Sequence, residues 1–125
     1  MADDSDQDSS EACRTLAEKG GRRVRILPSL LDEYETLPVK MQARFKRIME
    51  MWCEGHRMPK EMLNMSEGRS SHKNRMIQAF KAFKVRLYGF VTGSDFLVVE
   101  IDPAKKRDKA DPRILDRAKI RADSI

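Results

Sequence analysis

Apolar positions along this chain follow two different periods, and the switch between them divides it into elements. From Leu30 onward they recur at three- and four-residue steps: Leu30, Leu31, Tyr34 and Leu37, then Met41, Phe45, Ile48, Met49 and Trp52. That spacing predicts two amphipathic helices, each burying one stripe. Lys40, Arg44, Lys46 and Arg47 fall on the opposite side of the second. Pro28 and Ser29 open the first helix, with Asp32 three residues on in the manner of a capping box. Leu37-Pro38 divides the two helices and Glu54-Gly55 stops the second. So short a break predicts a helical hairpin with one shared apolar surface. From Met76 the period becomes two. MIQAFKAF (76–83), KVRLYGFV (84–91) and DFLVVEI (95–101) read as three strands, and Thr92-Gly93-Ser94 turns the last two into a hairpin. RRVRIL (22–27) alternates as well and predicts a short first strand. Asp111-Pro112 supplies an N-cap and first-turn proline for a terminal helix with Ile114, Leu115, Ala118 and Ala122 on one side. Strand, two helices, meander and helix together predict an α+β domain, with its helices on one face of an antiparallel sheet.

Two segments lack such a pattern. Residues 1–21 begin with Asp3, Asp4, Asp6, Asp8 and Glu11 and end in Gly20-Gly21. They are expected to form a disordered acidic tail, having too little apolar surface to offset the entropy of ordering. The domain is then expected over residues 22–125, with a loop at 57–74 rich in Gly, Ser and Pro. A chain of 125 residues holds one such domain. No run of about 18 apolar residues is present, and the acidic start is unlike a secretory leader. Cys13 and Cys53 have no metal-ligand spacing. Both are expected to be reduced thiols in a cytoplasmic protein with no metal and no cofactor. Six methionines from Met41 to Met65 are expected to fill gaps in the core or, less simply, to form an adaptable partner surface.

Charge adds a partner class. The net charge of +5 favours a polyanion, and its distribution is more informative than its sum. Between Glu67 and Asp95 there is no acidic residue, whereas Arg69, His72, Lys73, Arg75, Lys81, Lys84 and Arg86 lie inside that window. Lys105, Lys106, Arg107 and Lys109 follow the last strand, interrupted only by Asp108. Alternation in KVRLYGFV puts Val85, Leu87 and Val91 on one face and Lys84, Arg86, Tyr88 and Phe90 on the other. If helices cover the first face, the second offers cations for phosphates beside rings for bases. Solubilising charge on an open sheet face is the plainer alternative.

The order of these segments resembles a known family. LPVKMQARFKRIMEMWCEGHRMPKEMLNMSEG (37–68) resembles the helical hairpin and following loop of RelE/ParE-superfamily toxins, nearest to their HigB-like, phage-derived branch. IQAFKAFKVRLYGF (77–90) resembles that branch's strand pair with its internal arginine. IDPAKKRDKADPRILDRA (101–118) is similar to its Lys-Lys segment, proline and terminal helix. The likeness covers residues 24–122 and is one of order and pattern. It implies a RelE-like microbial RNase-type fold, an N-terminal helical hairpin packed on a twisted antiparallel sheet. It further implies the toxin of a type II toxin–antitoxin system, an mRNA interferase that cleaves mRNA in the ribosomal A site. The expected partners are the ribosome, mRNA and a cognate antitoxin, commonly a helix-turn-helix DNA-binding protein.

By position, Arg86 matches the family's phosphate-contacting strand arginine and Lys81 a basic position on the preceding strand. Lys106, with Lys105 beside it, falls near a second functional basic position. The implied chemistry is metal-free attack of a ribose 2′-OH on the adjacent phosphate, with fixed cations stabilising the charge that develops. The best-studied relatives carry a tyrosine near the C-terminus for proton transfer, and this segment has none. His72, Tyr88, Asp108 and Lys109 are the candidates for that role. Lys73, Lys84, Lys105, Arg107, Arg75, His72 and Tyr88 are candidate RNA contacts. Two other functions fit the same resemblance: a ParE-like gyrase inhibitor, and a non-enzymatic nucleic-acid-binding or phage accessory protein.

Overall fold

The computed structural model describes residues 12–103 and 111–125. Six strands form one sheet in the order β1-β2-β6-β5-β4-β3: β1 Arg14–Lys19, β2 Arg22–Ile26, β3 Leu63–Asn64, β4 Gln78–Ala82, β5 Val85–Thr92 and β6 Asp95–Asp102. Between β2 and β3 come a 3-10 turn (Pro28–Leu30), α1 (Leu31–Glu35) and α2 (Val39–Cys53), and α3 (Pro112–Ser124) closes the order. The protein is therefore α+β. The sheet is mixed rather than antiparallel, because β2 runs parallel to β6 in the register Val24↔Phe96 and Ile26↔Val98.

Three further expectations are corrected. The segment read as tail contains β1, a strand that pairs antiparallel with β2 through Gly20-Gly21, both glycines at positive φ. Its Cys13 is buried rather than free in solvent. The first helix of the hairpin is only a 3-10 turn and one α-helical turn, and no side chain caps it. Ser29 Oγ instead accepts a bond from Arg121 Nη1 at 3.1 Å, and Gln42 Nε2 reaches back to the carbonyls of Glu35 and Leu37.

Helices cover both faces, not one. Phe45, Ile48, Met49 and Trp52 of α2 are buried, as their spacing requires, and Trp52 meets Phe80 and Phe96 edge-on at 6.3 and 5.7 Å. On the other face Arg75 lies 4.4 Å over the Phe90 ring and bonds the Ala122 carbonyl of α3. Ala118 and Ala122 are fully buried there, and their small side chains let the helix approach closely. Alternation along β5 separates the faces: Leu87 shares a face with its partner Phe80, Tyr88 lies on the other. A bulge completes the pattern. Tyr88 pairs with Glu100 but Gly89 with Val98, so Val99 is an extra residue on β6. It turns Glu100 and Asp102 to the α3 face although Phe96 and Val98, in the same parity, face α2.

Candidate nucleic-acid interface

The candidate site is built on a hairpin. β4 and β5 pair with Lys81 opposite Arg86 and Ala82 opposite Val85, leaving Phe83 and Lys84 at the tip. Two cations directly opposite each other repel, at a cost of about 0.2–1 kcal/mol. Arg86 is in turn opposite Asp102 on β6. Lys81, Arg86 and Asp102 thus form a row across three strands on the face that α3 also covers. Asp102 is 2 % exposed, and its Oδ2 accepts the Asp111 N–H at 3.0 Å, which ties the N-cap of α3 to the row. Asp111 in turn accepts the Arg113 N–H at 2.9 Å, so the predicted N-cap and first-turn proline are present.

Phe83 was not singled out by sequence reasoning. It is 67 % exposed and sits at φ 56°, in the left-handed region that a bulky residue rarely adopts. An aromatic ring in solvent at the tip of a hairpin bearing Lys81, Lys84 and Arg86 is a stacking surface beside phosphate donors. A positive φ leaves no mark in the pattern of apolar residues, so the only signal was a phenylalanine at the boundary between two expected strands.

The next row inward is Ala79, Tyr88 and Glu100. Tyr88 and Phe90, expected to stand open beside the cations, are 0 % and 1 % exposed because α3 and Arg75 cover that face. Burial raises the Tyr88 phenol well above its usual range; Glu67 and Asp102 act in the same direction and Arg86 against it. The hydroxyl is therefore protonated at neutral pH, and it has no hydrogen-bond partner among the described residues. Glu100 is buried but held by Arg117 and Arg121 of α3 at 3.5 and 3.6 Å, and the Ile101 N–H donates to its other oxygen.

Other cations of the acid-free window lie elsewhere. The loop at 68–75 folds onto the C-terminal end of α3. There Asp123 accepts the N–H groups of His72 and Lys73 at 3.0 and 2.8 Å, and Lys73 Nζ bonds the Ile125 carbonyl. Arg75 joins them through Ala122. The Lys73 and Arg75 side chains thus meet the carbonyls and negative dipole of a helix end. Phe90, beneath Arg75, is four residues from Arg86 along β5, about 13 Å in an extended strand. The hairpin row and this loop are thus two separate groups of cations. Lys105, Lys106, Arg107, Asp108 and Lys109 lie outside the described residues.

The fold and these residues define a small α+β protein, a six-stranded mixed sheet between helices, with paired cations at one hairpin. Compared with protein-family models, curated proteins and solved structures, the chain matches none of them. Among the described residues no helix is long and apolar enough to cross a membrane, and no three His, Cys, Asp or Glu side chains cluster as a metal site.

Proposed function

We propose that this chain is the toxin of a type II toxin–antitoxin pair of the RelE/HigB kind, an endoribonuclease acting on mRNA at the ribosome. The observation that carries the reading is the Lys81–Arg86 pair, two cations held opposite each other beside an exposed Phe83. Their mutual repulsion falls when a phosphate lies between them, and the Phe83 ring is free to stack a neighbouring base. The order strand, helices, three-stranded meander and C-terminal helix is consistent with the resemblance noted above.

In the proposed reaction the ribose 2′-OH attacks the adjacent phosphorus in line. A bond forms from O2′ to phosphorus, the bond from phosphorus to O5′ breaks, and a 2′,3′-cyclic phosphate and a 5′-OH result. Arg86 and Lys81 stabilise the charge on the phosphoryl oxygens, an effect worth about 10²–10³ in rate per donor. Lys106, with Lys105 beside it, is proposed as a further contact. Tyr88 stays protonated and buried, which suits it to packing beneath α3 rather than to removing the 2′-OH proton.

The test is induced expression, with mRNA 5′ ends mapped on translating ribosomes. Wild type is expected to arrest growth and cleave mRNA, and Arg86→Ala with Lys106→Ala to relieve both. Full toxicity of the double variant would sink the assignment. Arrest with DNA damage and intact mRNA would point to a gyrase inhibitor instead. A second reading, a non-catalytic RNA-binding protein, draws on the burial of Tyr88, which leaves no phenol exposed on this face among the described residues. Salt-dependent RNA binding without cleavage would favour it.

A further inference from the structure

On the opposite side of the sheet from the Lys81–Arg86 row lies a cleft of about 560 Å³. It is formed where α2 ends, by the turn at Gly55, the segment that follows and the edge strand β3, with Arg22 reaching in from β2. Leu63 on its wall pairs with Phe80, one of the residues that Trp52 packs against, which assigns the cleft to the α2 face. Its polar lining is one-sided. Arg22, His56, Arg57 and Lys60 contribute to it and no acidic side chain does; Glu54 and Glu61 belong to the same stretch of chain but not to the lining. Trp52, Met58 and Met65 supply apolar surface, and Met65 is 66 % exposed.

Two details suit this cleft to a planar anion. The Arg22 guanidinium lies 3.8 Å over the Trp52 ring and donates from Nη1 to the Trp52 carbonyl at 3.3 Å. A guanidinium held over a ring in this way is a surface on which a nucleobase can stack. The end of a helix would ordinarily repel an anion, but the carbonyls of Glu50, Met51 and Trp52 in its last turn already accept hydrogen bonds. Glu54 N–H donates to Glu50 O, Gly55 N–H and Arg22 to Trp52 O, and His56 N–H to Met51 O. The side chains of His56, Arg57 and Lys60 are exposed, and none of these bonds uses them. Gly55 stands open, since a Cβ there would meet nothing within 4 Å.

We infer that this cleft is a second binding site, for a nucleotide unit. Its phosphate is held by Arg57 and Lys60 and its base lies against the Arg22–Trp52 stack and Met65. The volume falls within the range of about 300–1,000 Å³ usual for ligand sites and suits one nucleotide, either free or within a single RNA strand. The inference rests on this cleft alone and stands whether or not the chain cleaves RNA.

Trp52 is the only tryptophan, so its fluorescence reports on the site directly. The full chain is titrated with AMP, with adenosine and with a single-stranded oligoadenylate. Saturable quenching by AMP identifies a free nucleotide as the ligand, and quenching by the oligomer alone identifies a unit of a strand. In either case Arg57→Ala with Lys60→Ala is expected to weaken binding at least about tenfold, a loss of about 1.4 kcal/mol. Lys40→Ala, at an exposed cation outside the lining of the cleft, is expected to leave the quenching unchanged. Both altered positions in the double variant are exposed, so an unaltered circular dichroism spectrum is expected to accompany the loss. No saturable change with either phosphate-bearing ligand, equal quenching by adenosine, or full binding by the double variant overturns the inference.

Discussion

Lys81 on β4 and Arg86 on β5 are register partners, two cations opposite each other on a face that also carries the buried carboxylate of Asp102. Removing the outer one relieves a like-charge contact. Lys81→Ala is expected to raise folding stability by about 0.2–1 kcal/mol in urea denaturation. The same variant is expected to weaken RNA binding, and the slope of log affinity against log salt should fall by about one. RNA affinity equal to wild type across the salt series would remove Lys81 from the interface.

Phe83 sets conformation against contact in the same way. An aromatic residue at φ 56° carries backbone strain of about 1 kcal/mol, which asparagine tolerates better. Phe83→Asn is therefore expected to be as stable as wild type or more so, while losing about tenfold in affinity for single-stranded RNA, the stacking of one base. Loss of both stability and binding would instead make Phe83 a packing residue.

Gly89 is constrained by close approach. A Cβ there would collide with the carbonyl of Leu97 on the neighbouring strand and come within 2.5 Å of the Phe96 ring. Neither atom sits at the end of a flexible chain. Gly89→Ala is expected to destabilise the fold by about 3 kcal/mol, at the upper end of overpacking effects. Thermal unfolding of the purified variant measures this, and an unchanged midpoint would contradict the β5–β6 register.

Asp123 gives the loop at 68–75 a pH dependence. Partial burial raises its pKa, but the N–H groups of Lys73 and His72 and the Ser70 hydroxyl outweigh that and bring it to about 2. A carboxyl lowered from its ordinary 3.8 contributes stability above that value and loses it as pH falls through about 2. Wild type is thus expected to lose stability between about pH 4 and 2 more steeply than Asp123→Asn. Amide exchange at His72 and Lys73 should be faster in the variant at neutral pH. Parallel acid-unfolding curves would show that the carboxylate is not so bound.

Much of the fold was legible in local pattern. α2 buries the stripe its spacing marks, α3 begins at Asp111-Pro112, and β4, β5 and β6 fall within two residues of the alternating segments. What escaped was non-local. β1 buries only Ala17 fully, so its six residues read as polar chain, and its partner makes it a strand. The face of Glu100 depends on one extra residue at Val99, which alternation cannot show. Tyr88 followed the expected alternation but not the expected exposure, because two alanines on α3 bring that helix over it. The site was legible as charge and not as geometry. Lys81 and Arg86 are brought together, whereas Lys73 and Arg75 serve a helix end.

The parallel pairing of β2 with β6 has a kinetic consequence. Arg23 and Asp95, joined by two hydrogen bonds at 3.3 and 2.9 Å, are 72 residues apart in the chain. Until synthesis reaches β6, Val24 and Ile26 have no strand on their inner side, and the β1–β2 hairpin stands alone as a marginal structure. Pairings of such separation form slowly, since a long loop must close before any contact rewards it. The nascent protein is therefore expected to complete its sheet late, with the row at Lys81 and Arg86 lacking its Asp102 end until β6 has joined. The activity proposed for that row would then begin only after β6 has been made.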